Sequence, residues 1–595
     1  MLPFWGIPAI SGYLKKYGKR MILMVLLGCV SSIIDSCYPL FNRRLLDHNI
    51  TGNTLEGLGA IIIAYLVVLG FQVWNNFYTM FLCSRLELFI NRDLRNAAFD
   101  HLQTLSFSYF NQNNVGYIHA RVMSDTGKIG EMFSWHMMDF VWNFAYIVSV
   151  FVVMFIINPR LAFLIALIIP VGSVLIVLFQ KKLVPLNRKV RELNSTITGD
   201  FNEGITGVRT IKVLSAEERL EGSFEKDTEE MRRMSVKTAH TSAFFGVTVS
   251  FLSSVALSVV MWRGGQLTAE AAMQIGTLAV FLSYAMGIMD PIQQIINTVT
   301  QLITIQVNIE RFHNLVTTVP DVADSPEVIE KYGDAFEPKR ENWEDLHGDI
   351  EFKDVSFKYP DGDEYVLEHF NLKVPKGANV AIVGETGAGK STLVNLVCRF
   401  FEPTSGSVLI DGRDVRERSQ LWLHSHIGYV LQTPHLFTGT VRENLCYGKP
   451  DATDDEIWRA LDIVAATDVV KRMDKGLDSD VGEGGSMLST GERQLLSFAR
   501  AIIADPAILV LDEATSSVDT VTERIIQEAT DKVIKGRTSF VIAHRLSTVV
   551  GADIILAVRD GRIVEQGSHR ELMDKKGYYY ELQMGSAVQS AFSQG

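Results

Sequence analysis

At 595 residues the chain exceeds the usual size of one domain, so several structural units, or a large membrane part joined to a soluble part, are expected. Its 56 basic and 68 acidic side chains leave a net charge of −12, which excludes a broad basic surface for nucleic acid and confines any phosphate chemistry to a local site. Cys29, Cys37, Cys83, Cys398 and Cys446 show no CxxC spacing, so neither a zinc site nor a disulfide framework is indicated.

Apolar residues are unevenly distributed, with the long runs confined to the first half. Residues 21–42 form the first run able to cross a hydrocarbon core, which needs about 20 residues of helix. Lys15, Lys16, Lys19 and Arg20 precede it, but the run is long and no small-residue cleavage site follows, so the segment is expected to stay in the protein rather than leave as a signal peptide. Similar runs at residues 57–83, 135–157, 161–179, 243–262 and 273–296 make six spans.

Orientation follows from the basic clusters. Arg85, Arg92 and Arg95 follow the second span, and Lys181, Lys182, Arg188, Lys189 and Arg191 follow the fourth, which places those segments in the cytoplasm. Arg43 and Arg44, after the first span, run against the rule. Residues 84–134 and 180–242 are long, charged and free of turn clusters, as expected of helices that continue into the cytoplasm.

Asp35, Asp139 and Asp290 fall within or at the ends of spans, where a carboxylate is costly unless it meets water or a partner. A packing hydrogen bond or an interfacial position is the plainer account of each, and contact with a transported molecule the sharper one. Asp290 precedes Pro291, so a kink in the last span is expected there. Trp135, Met137, Met138, Phe140, Trp142, Phe144 and Tyr146 could line an adaptable apolar cavity, with lipid-facing or core packing the plainer account. Asn49-Ile-Thr51 and Asn194-Ser-Thr196 both fit a glycosylation sequon, although the second lies on the expected inner side.

A charged stretch over residues 317–347 reads as a linker into a soluble domain. A short apolar strand at 379–383 runs directly into GETGAGKS, Gly384 to Ser391, and then into a helical run. Gly384, Gly387 and Gly389 would let backbone N–H groups approach phosphates, Lys390 would reach the terminal phosphates, and Ser391 would ligate magnesium. A second strand, 508–511, ends in Asp512 and Glu513. Asp512 suits magnesium, and Glu513 is placed to polarise an attacking water.

From about residue 348 to the C-terminus these residues resemble the nucleotide-binding domain of ATP-binding cassette proteins, with every family motif in order. The resemblance places the nucleotide against Tyr359, which stands at the adenine-stacking position, and against the loop residues Gly384, Glu385, Thr386, Gly387, Ala388, Gly389, Lys390, Ser391 and Thr392. It implies Gln432 as the glutamine linking magnesium to the membrane domain. It implies His544 as the histidine at the terminal phosphate, Ser489 and Gly491 as signature contacts within LSTGE (488–492), and Ser516 to Asp519 as the loop joining two such domains. Residues 109–125 and 201–219 resemble the cytoplasmic coupling segments of the family's six-span exporters.

The expected architecture is therefore an α-helical membrane domain of six transmembrane helices with long cytoplasmic extensions over 1–316, a linker over 317–347 and an α/β P-loop domain over 348–595. ATP and Mg2+ are the implied cofactors. The implied setting is a bacterial plasma membrane with the nucleotide-binding domain in the cytoplasm. The implied function is ATP-driven export of hydrophobic or amphipathic compounds, with drugs first and lipids or peptides as alternatives. An ATP-gated channel or regulatory subunit would not need Glu513, an importer usually keeps its permease on separate chains, and six spans exclude a soluble ATPase.

The signature departs from the family's LSGGQ at Thr490 and Glu492. A threonine there would obstruct close approach to the terminal phosphate, and a carboxylate would repel it. Because each nucleotide in the family lies between one subunit's phosphate loop and the other's signature, the expected partner is a different half-transporter with a consensus signature.

Overall fold

The computed structural model describes residues 6–512, 520–543 and 549–584. Its contacts form two compact units, one of Met1–Leu102 with Gly116–Thr317 and the other of Gln103–Val115 with Thr318–Gly595.

The first unit is built on six apolar helices: α1 (Gly18–Ile50), α2 (Leu58–Leu102), α3 (Val115–Ile157), α4 (Pro159–Thr206), α5 (Glu217–Ala269) and α6 (Ile275–Thr317). At about 1.5 Å per residue, the 48 residues of α4 span roughly 70 Å, more than twice a hydrocarbon core. The cytoplasmic extensions expected from the charged segments are thus continuations of the spans themselves. The extension beyond α2 is less regular than the sequence suggested, because the helix stops at Leu102 and a short helix, Phe107–Gln112, intervenes before α3.

Helix α6 is interrupted at Ile288, between helical pieces Ile275–Gly287 and Met289–Thr317. Pro291 lacks the N–H that would bond the Gly287 carbonyl one turn back, so the expected kink falls just ahead of Asp290. Arg43, which ran against the charge rule, lies 3.6 Å from Asp47. Asp47 in turn accepts the Gly276 N–H at 2.6 Å and so caps the start of α6 from a different helix. The Asn49 side-chain amide is buried and donates to the carbonyls of Thr54 and Glu56, which removes it as a glycan acceptor in this fold. The aromatic and methionine stripe of α3 does not share one face, since its near-alternate spacing distributes it around a helix. Phe144 is exposed whereas Trp142 is half-buried.

The second unit carries two sheets. An antiparallel sheet has the order β2-β1-β4-β5, from β1 (Ile350–Phe357), β2 (Leu367–Val374), β4 (Ser405–Ile410) and β5 (Arg413–Asp414). A larger sheet has the order β10-β9-β3-β8-β7-β6. Its strands are β3 (Asn379–Val383), β6 (Ile427–Val430), β7 (Ile508–Asp512), β8 (Thr538–Ile542), β9 (Ile554–Arg559) and β10 (Arg562–Gly567). All its pairings are parallel except the β9–β10 edge.

Strands β3 and β7 and the carboxyl half of β8 are almost wholly apolar because both faces are covered. Val380, Ile382, Val510 and Ile542 enter one core, whereas Ala381, Val383, Leu511 and Val541 enter the other.

The segment after α6 also folds onto this unit. Arg399, 1% exposed, donates to Asp324 at 2.8 Å, to the Ala323 carbonyl at 3.1 Å and to Glu402 at 3.0 Å. Residues 103–115 join the same surface, with the Phe107 and Phe400 rings 4.3 Å apart and the Ser108 hydroxyl bonded to Asp321.

Candidate nucleotide site

The site grows out of strand order. Asp512, the last residue of β7, pairs in register with Ile542 of β8, and Ile542 pairs with Ile382 of β3. The carboxyl ends of β7 and β3 therefore lie one strand apart, at the edge where open parallel sheets hold their ligands. Two residues beyond Ile382 the chain enters the glycine-rich loop, and α7 (Lys390–Val397) begins immediately after it.

Gly384, Gly387 and Gly389 in that loop all sit at positive φ, which favours glycine. Gly384 has φ 155°, and a Cβ there would lie 2.2 Å from the Val558 carbonyl oxygen. Gly389 caps α7 at φ 98°. The loop wraps the Lys390 ammonium, which donates to the carbonyls of Gly384 at 2.8 Å and Glu385 at 2.7 Å. Ala388 is buried, and its N–H donates to the Glu385 carbonyl at 3.2 Å. Burial pushes the Lys390 pKa below its ordinary value, with the Asp512 carboxylate working in the opposite direction.

Around this lysine lies an open cavity of about 450 Å³. It is lined by Tyr359, Thr386, Gly387, Gly389, Lys390, Ser391, Thr392, Gln432 and Asp512, with Val366 and Ile542 supplying apolar wall. The Tyr359 hydroxyl lies 2.9 Å from Thr392 Oγ1, and its ring packs edge-on against Phe357 and Phe401. Val366 and Ile542 went unremarked in the sequence, where an apolar residue before a strand, or closing one, is indistinguishable from core. Glu513, His544 and Ser516 to Asp519 lie outside the described residues.

Ser489 and Gly491 do not line this cavity. Ser489 caps helix α8 (Thr490–Ile502), where its backbone N–H and its hydroxyl both donate to Glu492 Oε2 at 2.9 Å. The Glu492 N–H returns a bond to Ser489 Oγ at 3.3 Å, which completes a capping box. Arg472 pairs with the same carboxylate at 3.3 Å. Glu492 is therefore not the bare negative charge expected from the sequence, although a Ser-x-x-Glu ahead of an apolar run is itself a legible capping signal. Thr490 Oγ1 accepts from Arg493 at 3.1 Å.

A glycine-rich loop closed on a lysine at the carboxyl edge of a parallel sheet, in a chain that also carries six membrane-length helices, defines a nucleoside-triphosphate-driven membrane protein. The family models for the ABC transporter transmembrane region and the ABC transporter match residues 21–292 and 367–516. A probable multidrug resistance ABC transporter ATP-binding/permease protein of Bacillus subtilis is 36% identical over 89% of this chain and 77% of its own length. An ATP-dependent lipid A-core flippase of Desulfotalea psychrophila is 35% identical over 89% of each chain. The solved structure of a bacterial Atm1-family ABC exporter with ATP bound superposes with a TM-score of 0.77 at 26% identity, covering 96% of this chain and 98% of that one. The chain belongs to the ATP-binding cassette exporter family. It is a multi-pass membrane half-transporter that couples ATP hydrolysis in a cytoplasmic domain to export.

Proposed function

We propose that this chain exports amphipathic compounds of the multidrug type as one half of a dimer, using the Lys390 cavity as its half of a Mg2+–ATP site. The convergence of Lys390, Ser391, Gln432 and Asp512 on one cavity carries the nucleotide part of this reading, and the multidrug relative supports the substrate class. Lys390 meets the terminal phosphates, the N–H groups of the glycine loop cradle them, and Tyr359 supports the base. A hydroxyl, an amide oxygen and a carboxylate form an oxygen-rich set that suits a small hard cation, so Ser391, Gln432 and Asp512 would hold Mg2+. Mg2+ held there would supply positive charge against the charge developing on the phosphates. Glu513 then orients and polarises the attacking water, and His544 supports the terminal phosphate.

The partner is a second half-transporter with a consensus signature, because Thr490 crowds the phosphate-facing start of α8 where the family keeps glycine. Glu492 adds less to this argument than its charge suggested, being held by Ser489 and Arg472. Lipid flipping is the second reading, supported by the flippase relative. The test is ATPase stimulation of the reconstituted full-length transporter. Stimulation by drug-like amphiphiles supports multidrug export, stimulation by membrane lipids alone favours flipping, and stimulation by neither refutes both.

A further inference from the structure

The membrane part of the first unit is polar inside and apolar outside along one line of contact. On α2, Gln72, Asn75 and Thr79 recur at helical spacing and are 4%, 0% and 4% exposed, whereas Val73, Trp74, Phe77 and Met80 face outward. Opposite them on α1 stands Asp35, half-buried and near the middle of its apolar run. Gln72 Nε2 donates to Asp35 Oδ1 at 3.0 Å and to Ser31 Oγ at 2.8 Å. The Ser31 hydroxyl donates in turn to Asn76 Oδ1 at 2.9 Å. Trp142 of α3 lies beside Asp35 and stacks on Tyr146 at 5.3 Å.

Three features separate this cluster from ordinary interhelical packing. First, no Lys or Arg occurs in residues 21–42, 58–84 or 137–157, so Asp35 has no basic partner along the facing stretches of α1, α2 and α3. A carboxylate at that depth is costly without one. Second, the polar atoms left without a hydrogen bond on this face are oxygens: Gln72 Oε1, Asn75 Oδ1 and Thr79 Oγ1. The Gln72 amide cannot be turned to relieve this, because its nitrogen serves Asp35 and Ser31. A face with two unused amide oxygens, a hydroxyl and one carboxylate presents negative potential, which is complementary to a positively charged group. Third, the stacked indole and phenol of Trp142 and Tyr146 lie within electrostatic range of that carboxylate, and the outer faces of such rings attract organic cations. A single carboxylate is a poor match to a small hard cation, which needs six or more oxygens around it.

We propose that Asp35, backed by Gln72 and edged by Trp142 and Tyr146, binds the positive group of the transported molecule, so that this exporter selects amphipathic cations over neutral and anionic amphiphiles. The proposal rests on the export reading and specifies its substrate class. Gln72 and Ser31 position the carboxylate, and the aromatic pair receives the apolar body of the cargo.

The test uses the full-length transporter in its functional assembly, reconstituted in lipid vesicles. The stimulation of ATPase activity is titrated with tetraphenylphosphonium, neutral triphenylphosphine oxide and anionic tetraphenylborate. In the unmodified protein the cation is expected to act at the lowest concentration. Asp35→Asn preserves an acceptor for Gln72 but removes the charge, and should raise the half-stimulating concentration of tetraphenylphosphonium about tenfold or more, the scale of one lost charge contact. The neutral compound should shift less than threefold in the same preparation, which also reports that the variant is folded. Asp35→Glu should restore most of the cation preference. Equal shifts for the cation and the neutral compound, or none for either, would overturn the site while leaving amphiphile export standing. A transporter that answers to none of the three probes overturns the site and the export reading together.

Discussion

The Lys390 ammonium donates to the Gly384 carbonyl at 2.8 Å, so the phosphate loop is closed on its own lysine. Lys390→Ala removes both this closure and the charge offered to the terminal phosphates. Nucleotide affinity should fall at least tenfold, because hydrogen bonds to charged groups contribute about 1.5–3 kcal/mol. Titration with a fluorescent ATP analogue checks this. Gly384→Ala should abolish binding altogether, since its methyl group would lie 2.2 Å from the Val558 carbonyl oxygen.

The same lysine predicts a pH dependence. Burial lowers its pKa in the free protein, whereas bound phosphates favour the ammonium form, so nucleotide binding is linked to proton uptake at this group. Affinity is therefore full while free Lys390 is protonated and declines as pH rises into the range where it loses its proton. Lys390→Arg, which stays charged, should flatten that decline in binding isotherms taken at successive alkaline pH values.

Glu513→Gln should leave nucleotide binding in place and reduce turnover by about a hundredfold or more, the contribution typical of one acid–base group. Steady-state phosphate release compared with equilibrium ATP binding separates the two effects. Turnover within a few-fold of the unmodified protein would remove Glu513 from the catalytic role.

Ser489→Ala removes the hydroxyl that caps α8, and Glu492→Ala removes the carboxylate that holds Ser489. Each should destabilise the helix start by about 1 kcal/mol. Glu492→Gln keeps an acceptor for Ser489 and should cost less in thermal unfolding of the full chain, with only the Arg472 pairing lost. A drop for Gln as large as that for Ala would show that the charge, rather than the cap, stabilises this turn.

Arg399 is buried, and its fork holds Asp324 and Glu402 beside the Ala323 carbonyl. Arg399→Ala leaves those carboxylates without their cation and should lower stability by about 3 kcal/mol. Arg399→Lys should recover less than half of this, because an ammonium cannot reproduce a planar fork. Thermal unfolding of both variants gives the comparison.

Expressed alone, the chain should show little ATPase activity, and co-expression with a half-transporter carrying a consensus signature should restore it. A homodimer with robust drug-stimulated turnover would refute the heterodimer.

The membrane half was legible because lipid demands long apolar helices, and the nucleotide half because phosphate binding demands glycine, lysine and an acidic strand end in a fixed local order. Lys390 and its loop are contiguous in sequence, so their closeness needed no fold to reveal it. Tertiary structure decided what depends on residues far apart in the chain. The register of β7, β8 and β3 brings Asp512 to the phosphate loop. Asp47 on α1 caps α6 at Gly276 and accounts for an arginine on the wrong side of the charge rule. Arg472, twenty residues before Glu492, neutralises a carboxylate that looked exposed. Asp35 could be read from the sequence only as a costly charge. The arrangement of Gln72, Trp142 and three unpartnered oxygens around it arises where separate helices meet, and no local pattern of residues encodes such a meeting.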